Sequence, residues 1–397
     1  MIYLLAVLTA VAWIGGIMYT PALPSIAVEL QASNAEIQMT LAVFMAGFAF
    51  GQLFYGPVSD RFGRRPILLA SLVIYGLGTV AVAVAPSLEV LSAARFLQAL
   101  GAAGGVVLAR AIVRDIVTSE GSARGMAILN IGSSVAPALS LVAGGALAAF
   151  LGWRGLFWLT TGIIVVFYIA ALLWLHETRP PAARTRHGIA DEFRGWLAFL
   201  RSRVFIAFSL SQALLNGAIF TFMSGGPFFL IDQFGASPGT VGILLALLPT
   251  GFLFGNLLST QIGRQASMTN QLWIGALTST VAGAIFLALH SGGNLSLVTI
   301  GVLSFTYTLG IGLHIPNATA GAIEVNPRLS GTGSALYGFI TFGAAALCSL
   351  LVGFLDDGGG GGVFAMMLAL AVGGLLMTFI AIALSPWRLA GPGKTSS

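Results

Sequence analysis

Two stretches of this chain hold side chains whose types and spacing can do chemistry. The first is Gly56-Pro-Val-Ser-Asp-Arg-Phe-Gly-Arg-Arg-Pro66. In it Asp60 can accept from helix-terminal amides or an arginine fork, Gly63 permits a tight turn, and Arg61, Arg64 and Arg65 can pair with carboxylates such as Asp115. The second is Arg95-x-x-Gln98-x-x-Gly101, which sets an arginine, an amide and a glycine at successive i+3 steps on one helix face, ahead of Ala102, Ala103, Gly104 and Gly105. Small residues let a neighbouring helix approach closely, and an arginine inside an apolar segment turns toward a bundle interior or a water-filled cavity. Farther along, His314 offers an imidazole, the side chain that ordinarily titrates near neutrality and can carry a proton.

The elements that must position these groups follow from composition. The 397 residues are 57% hydrophobic and 8% charged, with mean hydropathy +0.95. A soluble domain of this size needs roughly a quarter of its residues charged, so most of this surface must face lipid or protein. The net charge is +5, but 17 of the 18 basic residues are arginines in short connections between apolar runs, so no continuous nucleic-acid face is expected. Cys348 is the single cysteine and forms no internal disulfide.

Twelve apolar stretches are long enough to span a bilayer as helices: 2–25, 37–59, 66–86, 89–114, 126–150, 155–176, 204–231, 238–262, 268–290, 295–319, 331–355 and 363–386. The first has no basic residue ahead of it and exceeds a signal-peptide core in length, so it is expected to stay as a helix. Fifteen Lys and Arg residues fall in connections on one side and Arg154 alone on the other, while Arg95 and Arg110 lie within the fourth segment. Positive connections remain in the cytoplasm, which predicts a multi-pass membrane protein with both termini cytoplasmic.

Of the 13 acids, Glu29, Glu36, Glu89, Asp232, Asp356 and Asp357 fall in outer connections and Asp60, Asp115, Glu120, Glu177, Asp191, Glu192 and Glu324 in inner ones, with none at mid-membrane. No metal cluster or nucleophile–base pair is legible, and Gly358 to Gly362 lacks the Lys-Ser/Thr of a phosphate loop. The chain therefore reads as neither an enzyme nor a cofactor protein.

The longest polar stretch, Glu177 to Arg203, holds Pro180, Pro181 and six arginines. It divides the chain into a first bundle (1–176), a linker (177–203), a second bundle (204–390) and a tail (391–397). Gly47-Phe-Ala-Phe-Gly-Gln-Leu53 recurs as Gly251-Phe-Leu-Phe-Gly-Asn-Leu257 at an offset of 204, and Ala32-Ser33 recurs as Ala236-Ser237 at the same offset. Two matches in register predict a parallel repeat, with two six-helix bundles around a central cavity.

The Gly56–Pro66 motif, by order, spacing and position in a twelve-helix chain, resembles the loop between helices 2 and 3 of the major facilitator superfamily. Arg95-x-x-Gln98-x-x-Gly101 resembles the fourth-helix motif of its drug:proton antiporters. Met18-Tyr-Thr-Pro-Ala-Leu-Pro24, Arg110-Ala-Ile-Val-Arg-Asp115, Pro227 with Gln233-Phe-Gly235, and Pro316-Asn-Ala-Thr-Ala320 with Gly331-Thr-Gly-Ser-Ala-Leu336 resemble the bicyclomycin- and chloramphenicol-resistance branch. Two departures stand out. The acid that usually precedes Met-Tyr in the first helix, thought to bind the transported proton, is Ile17 here; and Ser140-Leu141 replaces a Gly-Pro before Gly144-Gly145 in the fifth.

The resemblance implies an all-α membrane fold and a secondary transporter that exports drug-like small molecules by alternating access, with the proton as candidate co-substrate. It makes Gly56, Asp60, Arg61, Gly63, Arg64, Arg65 and Asp115 a cytoplasmic latch and Arg95, Gln98 and Gly101 part of the coupling set, to which the survey of acids adds His314 as a titratable group within reach of the cavity. Tyr19, Gln212, Asn216, Phe220, Tyr307, Asn317 and Tyr337 lie near the middles of helices that border the cavity in that fold, and an aromatic and amide pocket suits a lipophilic, partly polar molecule. The second reading from the sequence is a carrier for an anionic metabolite bound by Arg95, which has no visible counter-charge. The expected partners are the substrate and the bilayer, with the chain working as a monomer.

Overall fold

The structure, a computed structural model, describes residues 1–116, 119–180, 189–263, 266–355 and 359–385. Arg184, Arg186, Arg264, Asp356, Asp357, Arg388, Lys394 and the tail 391–397 lie outside the described residues. The described residues form helices and no strands.

The first crossing comprises α1 (Ile2–Ile17), a 3-10 turn at Thr20–Ala22 and α2 (Leu23–Glu29). It is broken because Pro21 and Pro24 bring no N–H to the ladder. Three single crossings follow, α3 (Asn34–Phe62), α4 (Arg64–Ala83) and α5 (Leu88–Ile116). The helix α6 runs over Ser119–Trp174, 56 residues, and is interrupted at Gly152, whose φ of 64° and ψ of 172° lie outside the helical region. At about 1.5 Å per residue such a length is more than twice a bilayer core, so the break makes α6 two crossings. Beside this corner the Trp153 indole donates to Glu29 Oε2 at 2.6 Å, and Arg154 pairs with the same carboxylate.

The second half repeats the pattern with α8 (Arg203–Phe234), α9 (Pro238–Ile262), α10 (Met268–Ser291), α11 (Leu297–Ile323), α12 (Ser330–Leu355) and α13 (Gly361–Leu384). The repeat seen in sequence has physical causes. Ser33 and Ser237 are equivalent N-caps, accepting from Glu36 N at 3.3 Å and Thr240 N at 3.2 Å. Gly47 and Gly51 of α3 seat against the carbonyls of Phe96 and Leu100 on α5, and Gly251 and Gly255 of α9 against those of Phe305 and Leu309 on α11. A methyl at any of the four would strike the facing helix, so the glycines recur where the helix pairs cross.

The two halves meet along two seams. At one, Gly145 of α6 packs on the Pro238 carbonyl of α9, and Gly242 returns the contact to the Leu141 carbonyl. At the other, α3 runs along α12, from Gln38 against Gly353 to Gln52 against Gly338.

The polar linker is not featureless. The segment α7 (Ile189–Leu200) is a helix whose inward side sets Gly195 on Thr332, Phe199 on Gly333 and Trp196 edge-on to Phe54, with ring centroids 6.5 Å apart. It therefore touches α12 of one half and α3 of the other. The run of arginines and prolines masks this helix in the sequence.

Candidate functional site

Arg95 sits two turns into α5 and is fully buried. Its Nη1 donates to the Gly15 carbonyl at 2.9 Å and to Gln98 Oε1 at 2.6 Å, and its Nη2 donates to the Gly16 carbonyl at 2.7 Å. The guanidinium carbon lies 4.1 Å from the Tyr19 ring centroid and 4.2 Å from that of Phe44. These carbonyls are available because α1 stops here: the Met18 amide still reaches Ile14, but the helix does not continue past it. The broken end of a helix carries partial negative charge, so Arg95 acts as a cationic cap on α1. Gln98 passes the network on to Thr79 Oγ1 at 3.0 Å, and Tyr75 ties α4 to α1 by donating to the Val11 carbonyl at 2.7 Å and accepting from Gly15 N at 3.1 Å. Gly101 lies where α5 touches the backbone of Tyr75, so its role in the geometry is close packing. Tyr19 is held further by Thr40 Oγ1 at 3.2 Å. Three oxygens and two aromatic faces surround the cation, while its Nε is buried without a partner among the described residues.

A second buried cluster lies in the other half. His314 Nε2 is 2.9 Å from Ser211 Oγ and 3.0 Å from Thr378 Oγ1, and its Nδ1 is 3.4 Å from Gln212 Oε1. Both hydroxyls reach the Gly374 carbonyl, at 3.2 Å and 2.8 Å. Helices α8, α11 and α13 thus converge on one imidazole, and each atom facing the ring is an oxygen able to accept.

The loop motif forms a clamp. Arg64, almost entirely buried, donates through Nε to Asp115 at 2.8 Å, through Nη2 to Asp60 at 2.7 Å and through Nη1 to Ser59 Oγ at 2.5 Å. Arg179 reaches the same Asp60 oxygen at 2.8 Å, and Glu177 accepts from the backbone amides of Arg64, Arg65 and Arg179. Gly63, with φ of 105°, makes the turn that no other residue makes without strain. Two named members stand apart: Arg61 is exposed over its neighbour Phe62, and Gly56 contributes its carbonyl to Ser59 while a methyl there would meet nothing. The partners that hold Arg64 and Asp60 lie within residues 59–179, so this part of the network ties α3, α4 and α5 to the start of the linker just beyond α6.

The other half holds an uncharged cluster. Asn317 Nδ2 donates to Gln271 Oε1 at 3.2 Å and Ser259 Oγ at 3.4 Å, and Ser259 Oγ donates to Gln271 at 2.6 Å. These residues tie α9, α10 and α11 together through neutral hydrogen bonds. Asn317, a pocket candidate from sequence, is engaged in this cluster.

The Major Facilitator Superfamily profile matches residues 5–349. This chain belongs to that superfamily. Multidrug resistance protein D of Escherichia coli (strain K12) is 31% identical over 364 residues, covering 88% of each chain. The bicyclomycin resistance protein homolog of Haemophilus influenzae is 27% identical over 352 residues, covering 88% of this chain and 87% of that one. The crystal structure of a D-xylose-proton symporter, 14% identical, has a TM-score of 0.77 with 97% of both chains covered, a likeness of fold. The protein is thus a multi-pass membrane transporter and not an enzyme.

Among the remaining candidates in this facilitator, Tyr307 is buried with its hydroxyl unpartnered among the described residues, Phe220 shares its apolar cluster, and Tyr337 packs with Leu53 and Phe205 at the arginine-rich end. Asn216 is half-buried, one turn beyond Gln212 on α8. The facilitator also has residues that sequence reasoning passed over. Trp13 of α1, Phe48 of α3 and Phe342 of α12 form one aromatic cluster, with centroid distances of 5.3 Å, 5.9 Å and 4.8 Å. It crosses from one half to the other. The Trp13 indole N–H and the Gln52 amide nitrogen are buried without partners among the described residues. The available signal was a tryptophan at the centre of an apolar segment, where indole is a poor choice for simple lipid contact.

Proposed function

We propose that this transporter exports lipophilic, largely uncharged drug-like compounds across the bacterial inner membrane by alternating access, with both termini in the cytoplasm and the bundles 1–176 and 204–390 rocking about the linker 177–203. The observation that carries this reading is the Trp13–Phe48–Phe342 cluster. Aromatic faces contributed by both halves, with the unpartnered donors of Trp13 and Gln52 beside them, suit a molecule bound mainly through area and a few hydrogen bonds, and rocking would separate its walls. Relatives named for multidrug and bicyclomycin resistance support the substrate class. The set of partners around Arg95 disfavours the reading in which it binds an anionic metabolite. Protons are the driving ion in this proposal, and His314 is their binding group, because its oxygen shell can accept from both ring nitrogens once the ring is charged.

The test is a toxin-susceptibility screen of cells with and without the protein, followed by efflux of the compounds that score, with and without a protonophore. Protection against several chemically unrelated lipophilic compounds, lost with the protonophore, is expected. Protection confined to carboxylates or phosphates would overturn the reading.

A further inference from the structure

The end of α7, the start of α8 and the end of α13 border an open crevice of about 280 Å³. Its polar lining comes from Arg201 and Arg203, and its wall from Ile206, Met377, Ile380 and Leu384. Both arginines are exposed, and among the described residues neither takes part in an ion pair. The clamp at the same end of the molecule differs in this respect, since its Arg64 and Arg179 each face a carboxylate. Two neighbouring cations left without counter-charge at the mouth of an apolar groove select an anion joined to a hydrocarbon chain.

The helix α7 fixes where this crevice lies relative to the bilayer. Its inward face is spent on α3 and α12, yet Phe193, Leu197 and Leu200, spaced i, i+4 and i+7, form a second apolar stripe that is 47% exposed or more. A helix with an unpartnered apolar stripe and arginine at its end lies in the membrane interface, with the stripe in the acyl boundary. Leu376, Ile380 and Leu384 continue an exposed apolar surface from that level along α13. Headgroup depth and hydrocarbon depth therefore meet in the crevice.

We propose that this crevice is a binding site for one anionic phospholipid, its phosphate held by Arg201 and Arg203 through charge-assisted hydrogen bonds and one acyl chain lying along Ile206, Met377 and Ile380. The lipid sits against the segment that touches both halves. The inference rests on the chain lying in a bilayer and is independent of the transported substrate.

The experiment uses the full chain in nanodiscs of equimolar phosphatidylglycerol and phosphatidylcholine, released into detergent for native mass spectrometry. One phosphatidylglycerol should be retained in preference to phosphatidylcholine. The double variant Arg201→Gln/Arg203→Gln should lose that preference, by roughly 30-fold if each arginine carries the affinity of one basic residue for an anionic surface. Met377→Trp, which fills the groove and keeps both charges, should also weaken retention, whereas inorganic phosphate should fail to displace the lipid. Equal retention of both lipids, or phosphatidylglycerol held unchanged by the double variant, would overturn the proposal. So would unchanged retention in Met377→Trp, which would reduce the effect to diffuse surface charge, or displacement by phosphate, which would make the site one for a free anion.

Discussion

Arg95 donates to the carbonyl of Gly15 at 2.9 Å, joining a buried cation in the fourth crossing to the broken end of the first. Helix breaks inside a membrane leave backbone carbonyls that lipid cannot satisfy. Here they are satisfied by a guanidinium whose planar fork spans two successive carbonyls and an amide. The cation and the break stabilise each other, and the orientation of α2 beyond the break depends on that contact.

Arg95→Ala is expected to abolish transport and lower thermal stability, because two carbonyls and Gln98 Oε1 lose charge-assisted hydrogen bonds of about 1.5–3 kcal/mol each. Arg95→Lys should recover part of the stability and little of the transport, since one ammonium cannot reproduce the fork. Melting temperature in detergent and efflux from proteoliposomes check both. A variant Arg95→Ala that melts and transports like the parent would show the cap to be dispensable.

In the clamp, Arg64 meets Ser59, Asp60 and Asp115, whereas Asp60 meets Arg64 and Arg179, which each have other partners. Arg64→Ala should therefore destabilise more than Asp60→Asn or Asp115→Asn. Asp60→Asn should still reduce transport strongly while membrane expression survives. Wild-type efflux in Asp60→Asn would leave the loop with only a topogenic role.

Much of this was legible in the residues, and each exception has its own physical cause. Ala32-Ser33 and Ala236-Ser237 recur in register, and each serine caps the start of an equivalent helix through its own side chain. Asp115 was identifiable as a partner for the Arg61–Arg65 group because opposite charges advertise themselves, and Arg64 takes it at 2.8 Å. The partners of Arg95 were hidden because they are backbone carbonyls, which no side-chain inventory contains. The Ser259–Gln271–Asn317 cluster escaped because neutral groups carry no such sign. The aromatic cluster unites residues from three helices, Trp13, Phe48 and Phe342, whose proximity depends on how the halves dock.

Orientation can be checked with single cysteines in a Cys348→Ala background. Asn294 and Arg328 are exposed at opposite ends of α11. The excess of arginine at the Arg328 end predicts that Asn294→Cys reacts with an impermeant thiol reagent in intact cells and that Arg328→Cys reacts after permeabilisation. The reverse pattern would invert the transporter, and export with it.

The last prediction concerns coupling. Ile17 is buried beside Gly16, whose carbonyl binds Arg95, so the usual acid position is apolar yet adjacent to the cation. If His314 carries the proton, its charged ring must be stabilised by Gln212, Ser211 and Thr378 alone, since no carboxylate or basic group of the described residues is hydrogen-bonded to it. His314→Gln can keep neutral hydrogen bonds to that shell but cannot take up a proton. It should bind substrate and retain downhill flux, yet lose the response of efflux to a stepped external pH. Ile17→Asp placed in His314→Gln should restore part of that response, because a carboxylate next to Arg95 can alternate between the proton and the guanidinium. Proteoliposomes at fixed internal pH, with external pH stepped, measure both variants. If His314→Gln follows the pH step as steeply as the parent, the proton travels by another group. If the parent itself ignores the step, the transporter runs without proton coupling, and Ile17→Asp alone should then introduce it.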